Sequence, residues 1–214
     1  MKNYLVTGAA GFIASVVSRM LLDSGAAVVG LDNLNDAYDV RMKEHRLQHL
    51  ERYSNFQFIK QDISDRSIIK INELQGRDFD AVINLAARAG VRDSLLDPWV
   101  YLETNATGTL NLLEFCKIQQ IPKFVLASTS SIYGENAPLP TPETASSDFP
   151  LQSYAASKKA AETMAHAYHY LFDLDITVLR FFTVYGPAGR PDMVMFRFIK
   201  WITEGTPLQL NGDG

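Results

Sequence analysis

Six short runs of β-branched and aliphatic residues, separated by stretches with helical spacing, constrain this chain more than any other feature. "YLVTG" (4–8) precedes a helical stretch from Gly11 to Ser24. "AAVVGLD" (26–32) precedes a charged amphipathic stretch from Val40 to Tyr53, and "FQFIKQD" (56–62) precedes "DRSIIKINEL" (65–74). "FDAVINLAA" (79–87) leads to a long helix from Pro98 to Gln119. "KFVLAS" (123–128) leads through a loop to a helix from Ser153 to Phe172, and "DITVLRFF" (175–182) closes the series. Strands this apolar belong in a parallel sheet covered on both faces. Right-handed crossovers then predict an α/β, doubly wound parallel sheet. The Pro-rich "ENAPLPTPETASSDFP" (135–150) reads as a surface excursion.

The chain has 214 residues, 47% of them hydrophobic, which suffices for one sizeable core. A net charge of −4 gives no electrostatic case for nucleic acid or a membrane surface. The single cysteine, Cys116, excludes an internal disulfide and predicts a cytoplasmic chain. No apolar run approaches the ~20 residues of a membrane span, and with a strand read from residue 3 the expectation is a chain without a leader. "GTPLQLNGDG" (205–214) reads as the first strand of a further unit, so the expectation is a fragment.

"VTGAAGFIAS" (6–15) joins the first strand to the first helix. Gly8 permits a tight turn, and Gly11 lets backbone N–H groups approach a pyrophosphate at the helix N-terminus. Ala14 takes the place of a third small residue, for close helix–strand packing. Asp32 ends the second strand, where a carboxylate accepts the adenosine ribose hydroxyls and repels a 2′-phosphate. NAD is therefore expected over NADP. Asp62 falls at the adenine rim, and the small residues of "NLAA" (84–87) suit close approach to a cofactor.

"SYAASKKAAE" (153–162) places Tyr154 and Lys158 on one helical face. A lysine beside the phenol is expected to lower the Tyr154 pKa and make it a usable base. Thr129, in the hydroxyl run Ser128-Thr129-Ser130-Ser131, lies at a strand's C-terminal end, where open α/β sheets bind ligands.

Taken together, these motifs resemble an extended short-chain dehydrogenase/reductase of the nucleotide-sugar epimerase/dehydratase group. The resemblance spans essentially the whole chain. It rests on "TGAAGFIAS", "VVGLDNLNDAYDVRMKEHRL", "AARAGVRDSLLDP", "ASTSSIYG" and "LRFFTVYGPAGRPDM". It implies a Rossmann-type domain over 1–182 that binds NAD permanently, and the start of an incomplete substrate-binding region over 183–214. It implies a catalytic triad of Thr129, Tyr154 and Lys158. It implies cofactor contacts from Gly8, Ala10, Gly11, Phe12, Ile13, Asp32, Asn33, Asp62, Ile63, Leu85, Ala86, Ala87, Asn105 and Phe182, besides Tyr154 and Lys158. Asn84 stands where the group more often has histidine, and Arg88 where it more often has glutamine.

The implied reaction is epimerisation at carbon 4 of a UDP-sugar through a 4-keto intermediate, with UDP-glucuronate expected before UDP-glucose or UDP-galactose. A glucuronate intermediate is a β-keto acid, so its carboxylate must be held out of alignment for loss of CO2. Ser130, Ser131 and Thr183 are candidate donors, Arg190 is a charge-assisted partner, and Arg88 is a further substrate candidate. Related dehydratases carry Thr-Asp-Glu at this strand end and related decarboxylases Thr-Ser-Glu. Here Thr129-Ser130-Ser131 has no carboxylate, which favours plain epimerisation. A non-catalytic NAD-binding module is the alternative of another class. The group commonly forms homodimers through two long helices, here 98–119 and 153–172.

Overall fold

A computed structural model describes residues 1–210. The strands are β1 (Asn3–Thr7), β2 (Ala27–Asp32), β3 (Phe56–Lys60), β4 (Ala81–Asn84), β5 (Lys123–Thr129) and β6 (Asp175–Phe181). They form one sheet in the order β3-β2-β1-β4-β5-β6, every neighbour parallel. Strand order reverses between β1 and β4. The loops leaving those two strands therefore diverge and open a crevice at the carboxyl edge, as the doubly wound arrangement requires.

Period-2 alternation divides the core between the two faces. Leu5, Val29, Leu31 and Val82 pack with Leu112, Phe115, Phe124 and Leu126. Val6 and Val28 point the other way, onto Ala14, Leu22 and Leu50. The second face is closed by helices α1 (Phe12–Asp23) and α2 (Val40–Leu50). The first face is closed by a long helix composed of α3 (Pro98–Tyr101), a π-helical turn (Leu102–Thr107) and α4 (Gly108–Gln119), together with α5 (Ser153–Phe172).

The stretch 65–74 winds as two 3-10 turns, Arg66–Lys70 and Asn72–Leu74, rather than one α-helix. Asp65 caps the first through its side chain; Ile68 and Leu74 are fully buried in the core, and Ile69 and Ile71 pack against it partly buried. Beyond β6 lies α6 (Val194–Thr203), which sequence reading did not assign and which buries none of its side chains. Residues 206–210 carry no strand, contrary to expectation, and the rest of that expected strand, 211–214, lies outside the described residues. Among the described residues no helix is long and apolar enough to cross a membrane.

Candidate active site

A cavity of about 430 Å3 occupies the crevice. Gly8 and Gly11 form its floor. Gly8 has φ +71°, and a Cβ there would stand 2.9 Å from the Ala86 backbone. A Cβ on Gly11 would stand 2.9 Å from the Gly8 carbonyl, which already accepts the Gly11 N–H at 2.7 Å. The two glycines keep the first turn of α1 open to an anion, and no side chain caps it.

Asp32 is buried at the end of β2. Its carboxylate accepts Ala10 N–H at 3.2 Å and Leu34 N–H at 2.8 Å, and Lys43 Nζ lies 3.9 Å away. Asn33 donates to Asp62 at 2.7 Å. Burial pushes Asp62 up, but hydrogen bonds from Ser64 and Asn33 outweigh it and hold the carboxyl below its ordinary value.

At the other end of the cavity, β5 delivers Ser128 and Thr129, and the 3-10 turn Ser130–Tyr133 delivers Ser130 and Ser131. Thr129 caps that turn: its Oγ1 accepts Ser131 N–H at 3.2 Å and lies 3.2 Å from Ser131 Oγ. Ser128 Oγ is buried without a partner among the described residues. Tyr154 and Lys158, one turn apart on α5, line the same space.

Lys158 is expected to depress the Tyr154 pKa, and this does not appear. Burial raises Tyr154 above the ordinary phenol value, while the Thr129 hydroxyl and the Arg190 charge pull it back. Lys158 instead donates to the Ala127 carbonyl at 2.7 Å. Burial brings its pKa down to about 8, opposed by the Glu162 charge.

Most of the expected site residues do line the cavity. Phe12, Ile13, Ile63, Leu85, Ala86, Ala87 and Phe182, expected at a cofactor, line it, and so do Arg88, Thr183 and Arg190, expected at a substrate. Ala10 and Asn105 do not. Ala10 is fully buried and serves Asp32 through its N–H. Asn105 stands behind the wall in the π-helical turn, bonded to both Arg88 N–H (2.9 Å) and Arg88 C=O (3.0 Å). Its amide also reaches Ser157 Oγ at 3.0 Å, and that hydroxyl donates to the Tyr154 carbonyl at 2.8 Å. Asn105 thus holds the Arg88 backbone and the first turn of α5 in one frame. Asn84 also faces inward, accepting from Thr7 (2.7 Å) and donating to Thr109 (3.1 Å).

Sequence reading assigned no role to Tyr38 or Lys43, which line the cavity, or to Arg46 behind it. Lys43 Nζ donates to the Asn35 carbonyl and side chain, both at 2.8 Å. Charged residues on an amphipathic helix are normally solvated, and that expectation hid Lys43 and Arg46. The one available signal was the motif "DNLNDAYDVRMKEHRL" that contains them.

The NAD dependent epimerase/dehydratase family matches residues 4–214. A UDP-glucuronate 4-epimerase from Thermodesulfobacterium geofontis is 55% identical over 214 residues, covering 100% of this chain and 66% of that protein. The crystal structure of UDP-glucuronic acid 4-epimerase from Bacillus cereus, in complex with UDP-glucuronic acid and NAD, superposes with TM-score 0.91 at 42% identity. That match covers 99% of this chain and 66% of the other. A dTDP-glucose 4,6-dehydratase from Streptomyces venezuelae, with NAD and TYD bound, superposes with TM-score 0.89 at 32% identity, covering 99% of this chain and 65% of the other. This chain thus spans just under two thirds of the length of these relatives.

Proposed function

Because the chain belongs to the NAD dependent epimerase/dehydratase family, we propose that it carries the cofactor and catalytic half of a UDP-glucuronate 4-epimerase. The observation that carries this reading is the convergence of Thr129, Tyr154 and Arg190 on one cavity whose strand end, Thr129-Ser130-Ser131, holds no carboxylate. The residues fit NAD: the glycine cradle has no room for a Cβ, and the buried Asp32 carboxylate is held by two backbone N–H groups. The turn Gly8–Gly11 would hold the pyrophosphate, Asp32 the ribose, and Asp62 with Asn33 the adenine side. When bound, NAD would supply a reversible hydride acceptor for carbon 4, so that no external oxidant or reductant is needed.

Tyr154 takes the proton from the sugar's 4-hydroxyl and later gives it back. Thr129 directs a hydroxyl at the same oxygen and exchanges its bond to Ser131 for one to substrate. Lys158 fixes α5 against β5, so the phenol and the Thr129 hydroxyl keep their separation. Arg190, with Ser130, Ser131 and Thr183, holds the carboxylate where the bond to carbon 5 stays out of line with the ketone. Dehydration needs an added acid and base, and no carboxylate stands at either serine position.

Residues 183–214 then form the start of the region that holds the nucleotide part of the substrate. The exposed apolar residues Trp99, Leu102, Tyr170 and Leu171 favour a homodimer packed through α3, the π-helical turn and α5. Incubation with UDP-glucuronate and NAD+, read by proton NMR, tests the reading. UDP-galacturonate is the expected product. A UDP-pentose, or UDP-galactose formed efficiently from UDP-glucose instead, would overturn it.

A further inference from the structure

Arg46 reaches two places that the chain keeps far apart in sequence. It is buried on α2, and its guanidinium works as a fork. Nη1 donates to the Ala10 carbonyl of the glycine turn at 3.2 Å and to the Tyr38 hydroxyl at 2.9 Å. Nη2 donates to the Ala188 carbonyl at 2.8 Å, 142 residues away in sequence. Ala188 occupies the left-handed region (φ +57°), unusual for a residue with a side chain, inside a turn closed by Gly189 N–H to the Gly186 carbonyl at 3.1 Å. That turn lies over the cofactor loop: a Cβ on Gly186 would meet the Phe12 ring at 3.6 Å, ordinary contact.

Arg190 follows two residues later. Its guanidinium lies 5.7 Å from the centre of the Tyr38 ring, and the Lys43 and Arg46 cations lie 5.3 and 5.6 Å from the same centre. Three cations around one ring repel each other. Each is held by its own partner: Lys43 by Asn35, Arg46 by the two carbonyls, and Arg190 by Asp192 at 2.5 and 3.0 Å.

We propose that Arg46 and Tyr38 are positioning residues that dock the 186–189 turn onto the glycine turn and thereby set the Arg190 guanidinium at the cavity mouth. The proposal deepens the reading above, since it takes Arg190 as the partner of the sugar carboxylate. It makes discrimination for a uronic acid depend on a residue that touches neither cofactor nor sugar. A lysine at 46 cannot replace the fork, because one ammonium cannot serve carbonyls on both sides with the same planar geometry.

The test has two readouts. In amide hydrogen exchange on the ligand-free chain, Arg46→Met is expected to speed exchange over 183–193 about tenfold or more and to leave β1 and β2 within about twofold. Arg46→Lys is expected to behave the same way, and Tyr38→Leu to give a smaller, equally local increase. In equilibrium binding, Arg46→Lys is expected to weaken UDP-glucuronate about tenfold and UDP-glucose by less than threefold, because only the first presents a carboxylate. Unchanged exchange over 183–193 overturns the proposal. So does exchange raised equally in β1 and β2, full rescue by lysine, or equal weakening of both sugar nucleotides. If Arg46→Met does not fold, Arg46→Lys and Tyr38→Leu decide by the same measurements. If the unaltered chain binds neither sugar nucleotide, the functional reading fails, and the exchange data alone uphold or overturn the docking.

Discussion

The Lys158 ammonium donates to the Ala127 carbonyl at 2.7 Å, tying helix α5 to β5 two residues before Thr129. This bond carries a pH dependence. Burial lowers the Lys158 pKa from 10.5 to about 8. Between those values the unfolded chain binds more protons than the folded one, so stability rises with pH. Against Lys158→Met, the wild type should therefore gain on the order of 1–3 kcal/mol from pH 8 to pH 10 and show a flat difference below pH 7. Urea denaturation of both proteins across that range checks the sign. A difference that shrinks as pH rises contradicts it.

Gly8→Ala should destabilise the chain by about 1–3 kcal/mol, because alanine is strained at a positive φ and its methyl would press on the Ala86 backbone at 2.9 Å. It should also abolish retention of NAD through purification. Thermal melting and the nucleotide content of denatured protein measure the two effects.

Asp32→Asn keeps an acceptor for one backbone N–H but removes the charge facing a 2′-phosphate. With Lys43 Nζ 3.9 Å from Asp32 Oδ1, the variant should lose about tenfold or more of its preference for NAD+ over NADP+. Calorimetric titration with each dinucleotide reads the ratio, and an unchanged ratio means that Asp32 does not select the cofactor.

Glu162→Gln should lower stability by roughly 1–3 kcal/mol. Glu162 pairs with Arg180 through two bonds, 3.1 and 2.9 Å, and the variant would leave that guanidinium short of its counter-charge. Arg180 also donates to the Glu143 carbonyl at 2.9 Å, so proteolysis within 135–150 should quicken in the variant. An unchanged cleavage rate would show that the loop is held by other contacts.

The alternation of apolar runs was enough to read all six strands and their carboxyl-edge site, because a covered parallel strand leaves a simple apolar signature. The placement of Gly8, Asp32, Thr129 and Tyr154 on the cavity was legible for a related reason: the pattern locates the carboxyl edge of the sheet that they surround. Contacts across the fold left no such mark. Asn105 reads as one polar residue in a long helix, and only the packing shows it holding Arg88 and Ser157 from a π-helical turn. Arg46 and Lys43 look like solvated charges in "VRMKEHRL" until β2, the glycine turn and the 186–189 turn close around them. Helix α6 left a weaker mark: "VMFRFIKWIT" is nearly continuous in apolar residues, and the helix buries none of its side chains.

The most direct measurement of the central claim uses UDP-glucuronate carrying deuterium at carbon 4. With NAD+ and the protein, the account predicts UDP-galacturonate that keeps its deuterium at carbon 4, because the hydrogen leaves and returns within one closed site. Tyr154→Phe should lower that turnover by about a thousandfold or more and leave NAD+ binding within a few-fold. Product with ordinary hydrogen at carbon 4, or a decarboxylated UDP-pentose as the main product, would contradict the account.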